Sequence, residues 1–552
     1  MKIISAQLNY TIGDFEQNTR KILDVISKEG QSVDLIIFSE LCLSGYYPLD
    51  LIDRAEFIEA QNRSLRSILE CSRDVSAAII IGVIDDNLGP GKPHFNGLFV
   101  IQAGEIVLKY HKKLLPVYNI FNEARHFEAG RQAGILVLNG KRIGLLICED
   151  GWGGAVNTPY QSDPVSELES QNLDLVVSIN GSPSNLGKAA ERQMHFSSIA
   201  KRCKAPLVFV NQVGGNDDIV FDGGSFALDF EGRSLGQLPF FEEATGCLEL
   251  NSALVPVFGF RPSKAMTLPE FCYRQIRLGL RDYVRKCHVP GVVIGVSGGI
   301  DSAITLALAV DALGKDRVHG IFMPSEFSSK QSQDDALLLA SNLGVTCSIH
   351  DIQSEFELAK VNFRNAFHQD PSDLTCQNIQ ARLRGRILME YSNQTGFLLI
   401  STGNKSELSV GFTTLYGDLA GGFNIIGDLY KTEVYEVANF YNQMHGASLI
   451  PNSILERAPT PELAPNQTDQ DSLPPYNQLD AVLKLFIEGD LLPNSERKAC
   501  ELIQSEMSDE LIQSLRLKVD RAEFKRRQAC PILRLQRRAF GGGRQFPIAR
   551  GY

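Results

Sequence analysis

Short apolar runs alternate along this chain with stretches in which apolar residues recur every three or four positions. The runs at residues 2–8, 34–38, 77–83, 97–101, 142–147, 173–179, 206–211 and 225–230 read as strands. Residues 16–28 and 56–72 carry helical spacing, and residues 99–109 fold back about Gly104 as an antiparallel hairpin. Helices between strands, together with a hairpin, predict an α/β first half with mixed sheets.

Between residues 250 and 270 the periodicity fades and prolines gather at 256, 262 and 269, which predicts a linker. An amphipathic stretch over 271–286 then leads into an apolar run at 289–294 and a second helical pattern over 303–313. A strand at 317–324, a helix at 329–343 and a strand at 345–349 follow. Repeated strand-helix alternation predicts a doubly wound parallel sheet with its ligand at the switch point. The expected division is a first domain over 1–255, a linker over 256–270 and a second domain over 271–552.

A length of 552 residues exceeds what one core supports, in keeping with at least two domains. Apolar residues at 43% and charged residues at 22% are those of a soluble globular protein, and a net charge of −11 argues against a general nucleic-acid binder. Eleven cysteines, an odd number without a C-x-x-C pair, fit a reducing compartment, so a cytoplasmic location is expected. No run approaches the ~20 apolar residues of a membrane span, and residues 1–9 lack a signal-peptide core, so no membrane partner is expected. The scattered histidines offer no Cys/His cluster for structural zinc.

Candidate chemistry sits at the ends of apolar runs. In Gly295-Val296-Ser297-Gly298-Gly299-Ile300-Asp301-Ser302, the paired glycines let backbone N–H groups approach phosphate oxygens, and the helix that follows adds its positive end. No lysine follows the glycines as in G-x-x-x-x-G-K-[ST], and the spacing is not G-x-G-x-x-G. Glu40, Lys112 and Cys148 each close an apolar run of the first half, the usual place for chemistry in α/β folds. Taken singly they read as a helix-start acid, a solvated lysine and a buried apolar cysteine.

In that order, Glu40, Lys112 and Cys148 resemble the glutamate, lysine and cysteine of the nitrilase superfamily. The likeness spans about the first 250 residues and extends to Ser178-Ile179-Asn180-Gly181-Ser182-Pro183 and Val210-Asn211-Gln212-Val213-Gly214-Gly215. It implies an α-β-β-α sandwich and a glutaminase. Cys148 would attack the side-chain amide of L-glutamine, Glu40 would move the proton, Lys112 would stabilise the oxyanion, and the thioester would hydrolyse to glutamate. Of the adjacent lysines, the glutaminase pattern Lys-x-x-Leu-Pro-x-Tyr fits Lys112 through Tyr118. The resemblance also sets Tyr118, Phe121, Glu149, Ser182 and Lys188 around glutamine and makes Glu123 a supporting glutamate.

The loop at 295–302 resembles that of the ATP pyrophosphatases, which grip the β,γ-phosphates so that cleavage falls at the α-phosphate. Thr402-Gly403-Asn404-Lys405-Ser406-Glu407, Gly411 through Asp418, Lys431-Thr432, Gln377 through Arg382, Asp469 through Tyr476 and Lys525-Arg526-Arg527-Gln528 extend the likeness over nearly the whole chain. Together they resemble the glutamine-dependent NAD synthetases. That resemblance implies ATP contacts from residues 295–302 and Thr402, deamido-NAD contacts from Asn378, Glu407 and Lys525, and Mg²⁺ held by Asp301 and Glu407. It implies amidation of deamido-NAD with glutamine-derived or free ammonia, giving NAD, AMP, diphosphate and L-glutamate through an adenylated intermediate. Homo-oligomers and an internal ammonia path belong to the same expectation.

Residues 521–550 hold nine Lys or Arg and one acid, Glu523. A basic tail or an RNA-binding patch is the ordinary reading of such a run; interleaved apolar residues favour a folded lid over the dinucleotide phosphates. Other adenylating amidotransferases, of the GMP or asparagine synthetase type, and a non-catalytic nucleotide sensor remain as alternatives.

Overall fold

The computed structural model describes residues 1–153, 160–262, 264–465 and 467–551. They form two compact units, Met1–Ala265 and Met266–Tyr552.

The first unit stacks two mixed sheets. One has seven strands in the order Leu254–Phe258, Ala244–Leu250, Lys2–Gln7, Leu35–Ile37, Ala78–Asp86, His94–Gln102 and Glu105–His111. The other has six, in the order Ser234–Gln237, Phe226–Leu228, Leu207–Asn211, Leu175–Asn180, Lys141–Ile147 and Ile135–Leu138. Pairing is parallel at the centres and antiparallel at the margins. Because successive strand residues face opposite ways, each strand feeds two cores. Ile3, Leu35, Ile37 and Ile80 meet Ile143, Leu145, Val177 and Val208 between the sheets. Ile4, Ile36 and Ile79 turn outward against Ile22, Ile26 and Ile68 of helices Phe15–Glu29 and Ala55–Cys71. On the far side Leu146, Val176 and Phe209 pack on Leu168, Phe196 and Ile199 of helices Pro164–Glu169 and Lys188–Cys203. The result is an α-β-β-α sandwich. It is sewn shut by its ends: Lys2 pairs with Glu249, and the Met1 amino group donates to the Leu250 carbonyl at 2.8 Å across 249 positions.

The stretch 256–270 differs from the expected linker. Strand Leu254–Phe258 enters it, with Pro256 opposite Leu248 on the outermost strand, where a residue without an N–H is tolerated. Helix Leu268–Lys286 begins before it ends, and Ser263 lies outside the described residues.

The second unit carries a parallel sheet in the order Thr346–Ile349, Val318–Phe322, Val292–Gly295, Leu398–Ser401, Phe423–Asn424. The strand earliest in sequence is central and later ones are added to either side, so the switch point lies where Val292–Gly295 and Leu398–Ser401 both end. Helix Ile300–Leu313 leaves from there and is buried on most of its circumference, which accounts for its Ala- and Leu-rich composition. Residues 531–540 fold onto the sheet edge: Asn424 donates to the Pro531 carbonyl and Leu533 to the Asn424 carbonyl, both at 2.9 Å, while Ile532, Leu533, Leu535 and Phe540 are buried.

Much of the basic charge at 521–550 is engaged within this unit. Arg526, Arg527 and Arg544 converge on Glu523, Arg550 pairs with Asp520, and Arg534 and Arg538 donate to backbone carbonyls.

Candidate active sites

Cys148 follows strand Lys141–Ile147 at the first position of the turn Cys148–Trp152, with φ of 43°. A side chain rarely adopts this left-handed backbone, so the elbow is a strained presentation of the thiol. Buried Asp150 holds the elbow in place. Its carboxylate accepts from Tyr110 Oη at 2.8 Å, from the Lys113 and Leu114 amides at 2.8 and 2.9 Å, and from the Ile147 amide at 3.1 Å. One side chain thereby ties the cysteine turn to the chain that follows Lys112.

Lys112, at the end of strand Glu105–His111, is wholly buried and lies 2.7 Å from Glu40 Oε1 and 2.8 Å from Glu123 Oε1. Asn96 Nδ2 also donates to Glu40 Oε1 at 2.8 Å, and the Gly181 amide to Glu40 Oε2 at 2.7 Å. Tyr46 Oη donates to Glu123 at 2.6 Å. Burial opposes the Lys112 charge, yet Glu123 and Glu40 outweigh it and hold the ammonium well above the usual lysine range. Burial, then the Glu40 charge, push the Cys148 thiol far up, while Lys112 works the other way. Burial and the Glu40 charge both favour the protonated thiol over the thiolate. Lys113 points elsewhere and pairs with Glu167.

Glu149 follows Cys148 in the turn and accepts from Tyr118 Oη at 3.0 Å and Tyr160 Oη at 2.8 Å. Burial raises its pKa. Phe121 packs edge-on to Tyr118 at 5.6 Å, and buried Ser182 donates its amide to Asn211 Oδ1 at 2.9 Å. The Lys188 ammonium lies 4.0 Å from the centre of the Trp152 indole, and burial lowers its pKa against the pull of Glu191 and Glu149. Asp150 and Tyr160 were not singled out by the sequence reading. Asp150 carried a usable signal, an acid two residues past a strand end, whereas Tyr160 follows a stretch without periodicity.

In the second unit the 295–302 loop frames a cleft shared with Thr402, Glu407, Lys431 and Arg384. Within the loop, Ser302 Oγ accepts from the Ser297 amide at 3.2 Å and Ser297 Oγ from the Gly299 amide at 3.2 Å. Gly298 has φ of +77°, and a Cβ there would meet the Ser332 carbonyl at 2.3 Å. Its own carbonyl accepts from Arg457, which also reaches Ser332 Oγ at 2.9 Å. Asn404 caps helix Lys405–Val410 and donates to Asp301 Oδ1 at 2.9 Å, joining the two strand ends. Lys431 pairs with Asp301 and lies 3.6 Å from Glu407. Burial first, and Asp301 second, raise the Glu407 pKa, with Lys431 opposing. Lys431 is thus a site cation to which the sequence reading assigned no role.

Asn378 and Lys525 do not line this cleft. They meet the segment 411–418 instead. Thr414 Oγ1 donates to Asn378 Oδ1 at 2.8 Å, and the Lys525 ammonium donates to the Gly411 and Thr413 carbonyls at 2.8 and 2.6 Å. Asp418 of the same segment does line it, its carboxyl pushed up to about 6 by burial.

Comparison with known proteins finds relatives along the whole chain. The carbon-nitrogen hydrolase family matches residues 2–256 and the NAD synthase family residues 272–529. A glutamine-dependent NAD(+) synthetase of Synechocystis sp. is 39% identical, covering 100% of this chain and 99% of its own. One of Thermotoga maritima is 35% identical, again covering 100% and 99%. The structure of the glutamine-dependent NAD+ synthetase of Acinetobacter baumannii, in complex with adenosine diphosphate, superimposes with a TM-score of 0.76 at 35% identity, covering 99% of this chain and 98% of that one.

Proposed function

This chain belongs to the glutamine-dependent NAD(+) synthetases, and from that premise we propose how its residues divide the ATP-driven conversion of deamido-NAD to NAD. The first unit frees ammonia from L-glutamine and the second activates the nicotinate carboxylate. Activation is required because ammonia does not displace oxide from a carboxylate, whereas AMP leaves readily.

The observation that carries the first half is the buried Lys112–Glu40 contact of 2.7 Å beneath the strained Cys148 elbow. Glu40 takes the thiol proton as sulfur attacks the amide carbon, and Lys112 meets the developing oxyanion. The same carboxyl passes the proton to departing ammonia and then activates the water that cleaves the thioester. Glu123, bonded to Lys112 and Tyr46, keeps the ammonium charged and aimed. Tyr118, Phe121, Ser182, Glu149 and Lys188 hold glutamine, the last two being complementary to an α-ammonium and an α-carboxylate.

In the second half the N–H groups of residues 295–302 and the start of helix Ile300–Leu313 bind the triphosphate of ATP, with Thr402 alongside. Asp301 and Glu407 fit a divalent cation. They are two carboxylates in one electrostatic cluster: Asp301 adds to burial, the leading effect, in raising the Glu407 pKa, and Lys431 opposes both. Bound there, Mg²⁺ would neutralise charge on the triphosphate. Lys431 and Arg457 add cations at the cleft, while Asn378 and Lys525 act on deamido-NAD through the 411–418 segment they support. Glu407 serves the dinucleotide, the metal or both.

Free ammonia is mostly protonated at neutral pH, which favours sheltered transfer between the two reactions. Assembly into a symmetric homo-oligomer belongs to the same reading. A cytoplasmic setting suits eleven cysteines without a C-x-x-C pair, and among the described residues no helix is long and apolar enough to cross a membrane. Product analysis with deamido-NAD, Mg-ATP and glutamine tests the reading. NAD, AMP, diphosphate and glutamate should appear together, and AMP formed without deamido-NAD would overturn it.

A further inference from the structure

The turn that presents Cys148 ends at Trp152, the single tryptophan of the chain. Helix Lys188–Cys203 lies against it. His195 Nε2 is 2.6 Å from the Gly151 carbonyl oxygen; a carbonyl only accepts, so this nitrogen carries the ring proton. The imidazole lies flat on the indole, with centroids 4.1 Å apart and planes 4° from parallel. The Lys188 ammonium, seven residues earlier on the same helix, stands 4.0 Å from the centre of that indole. Glu191, at 3.6 Å, and Glu149, the residue next to Cys148, both act on this ammonium.

A lysine tip on a four-carbon stem has many rotamers, and only a fixed one gives a specific carboxylate contact. An aromatic face restricts it by attracting the cation to the ring quadrupole. The indole is itself restrained by the stacked His195 and by the edge of Phe196 at 6.2 Å. Burial, the leading effect, and the Lys188 charge lower the His195 pKa, so the neutral form that bonds Gly151 is the resting one.

We propose that Trp152 and His195 are positioning residues of the glutaminase site. Trp152 seats the Lys188 ammonium at the α-carboxylate of a bound α-amino acid amide, and His195 fixes both the indole, by stacking, and the Cys148 turn, through the Gly151 carbonyl. This deepens the assignment of Cys148 as the glutamine nucleophile and rests on it.

The two contacts of His195 can be separated in the full-length enzyme. His195→Phe keeps a flat ring on the indole but loses the donor to Gly151. It should lower kcat for glutamine hydrolysis about tenfold while KM stays within about twofold. His195→Gln keeps an amide donor and loses the ring, so KM for glutamine should rise about fivefold with kcat nearly kept. Tryptophan emission supplies a second readout, because it comes from Trp152 alone. In Cys148→Ala, which binds without turnover, glutamine should change the emission saturably, and adding Lys188→Ala should abolish the change. The thermal unfolding midpoint of the first unit, compared with that of the parent, reports whether each variant folds.

Equal effects of the two His195 variants on kcat and KM, or no effect of either, would reduce the stack to packing and overturn the proposal. So would emission in Cys148→Ala that ignores glutamine. A Cys148→Ala protein that still hydrolyses glutamine overturns the nucleophile assignment itself, and that outcome is distinct from a lost kinetic split in variants of an enzyme whose Cys148→Ala form is inert.

Discussion

Lys112 and Glu40 meet at 2.7 Å with neither side chain exposed, and Glu123 approaches the same ammonium at 2.8 Å. One buried cation therefore serves two buried carboxylates, and removing it leaves like charges facing each other without water. Breaking such a set costs about 3–5 kcal/mol. Lys112→Ala should lower the thermal unfolding midpoint of the first unit by several degrees. Lys113→Ala, which loses one ion pair and leaves a partner, Glu167, that is exposed enough to be solvated, should cost less. Equal midpoints for the two variants would contradict this placement.

Cys148→Ala removes the sulfur but no residue of the cleft at the 295–302 loop. NAD synthesis should persist with high ammonium and vanish with glutamine as sole nitrogen donor, and Glu40→Gln should show the same split. An assay of NAD formation in ammonia-free buffer decides it: turnover from glutamine by Cys148→Ala speaks against the assignment.

Asp301 is bonded to Asn404 and Lys431 at the switch point. Asp301→Asn should nearly abolish AMP release with either nitrogen donor while glutamine hydrolysis remains measurable. Near-normal AMP release would remove Asp301 from the adenylation site.

Gly298 and Gly446 both have positive φ, of +77° and +62°, but only Gly298 has an obstructed Cβ position, with the Ser332 carbonyl at 2.3 Å. Gly446→Ala should cost about 1–2 kcal/mol of stability through backbone conformation alone and leave the KM for ATP unchanged. Gly298→Ala must also displace the loop or Ser332, so its KM for ATP should rise. Comparable KM values in the two variants would show that the loop tolerates the shift.

Asp480, buried and bonded to Ser406 Oγ and the Thr432 amide, is pushed up to about 6 by burial, against an ordinary value of 3.8. Between these values the folded protein binds more protons than the unfolded chain. Its contribution is therefore full below about 4, falls as pH rises and is gone above about 6, with a slope of at most ~1.4 kcal/mol per unit. Denaturant titrations across that range should show a flatter profile for Asp480→Asn than for the parent.

Most central strands were legible because alternation and β-branched runs report burial directly, as in residues 2–8 and 173–179, whereas Ile135–Leu138, Ser234–Gln237 and Ala244–Leu250 were not among the runs read as strands. The strand Leu254–Phe258 was not: Val255, Val257 and Phe258 remain exposed, and Pro256 imitates a linker. The Glu40, Lys112 and Cys148 positions were legible as strand ends, but the bonds that orient them come from Asn96, Gly181 and Asp150, whose own neighbours carry no pattern for those pairings. Asn378 and Lys525 show the reverse limit. Their motifs were visible, yet local spacing does not reveal that both side chains bond to the segment 411–418.

The antiparallel closure between strands Lys2–Gln7 and Ala244–Leu250 also sets a timetable. Leu250, which receives the Met1 amino group, is synthesised 249 positions later. At roughly 5–20 residues per second the first strand waits about 10–50 seconds on the ribosome for that partner. Throughout that interval an apolar edge that ends up central to a seven-stranded sheet is open to any other extended segment. Translation stalled before residue 244 should therefore yield aggregation-prone chains, and chaperone occupancy of the nascent chain should drop once residues 244–250 have cleared the exit tunnel.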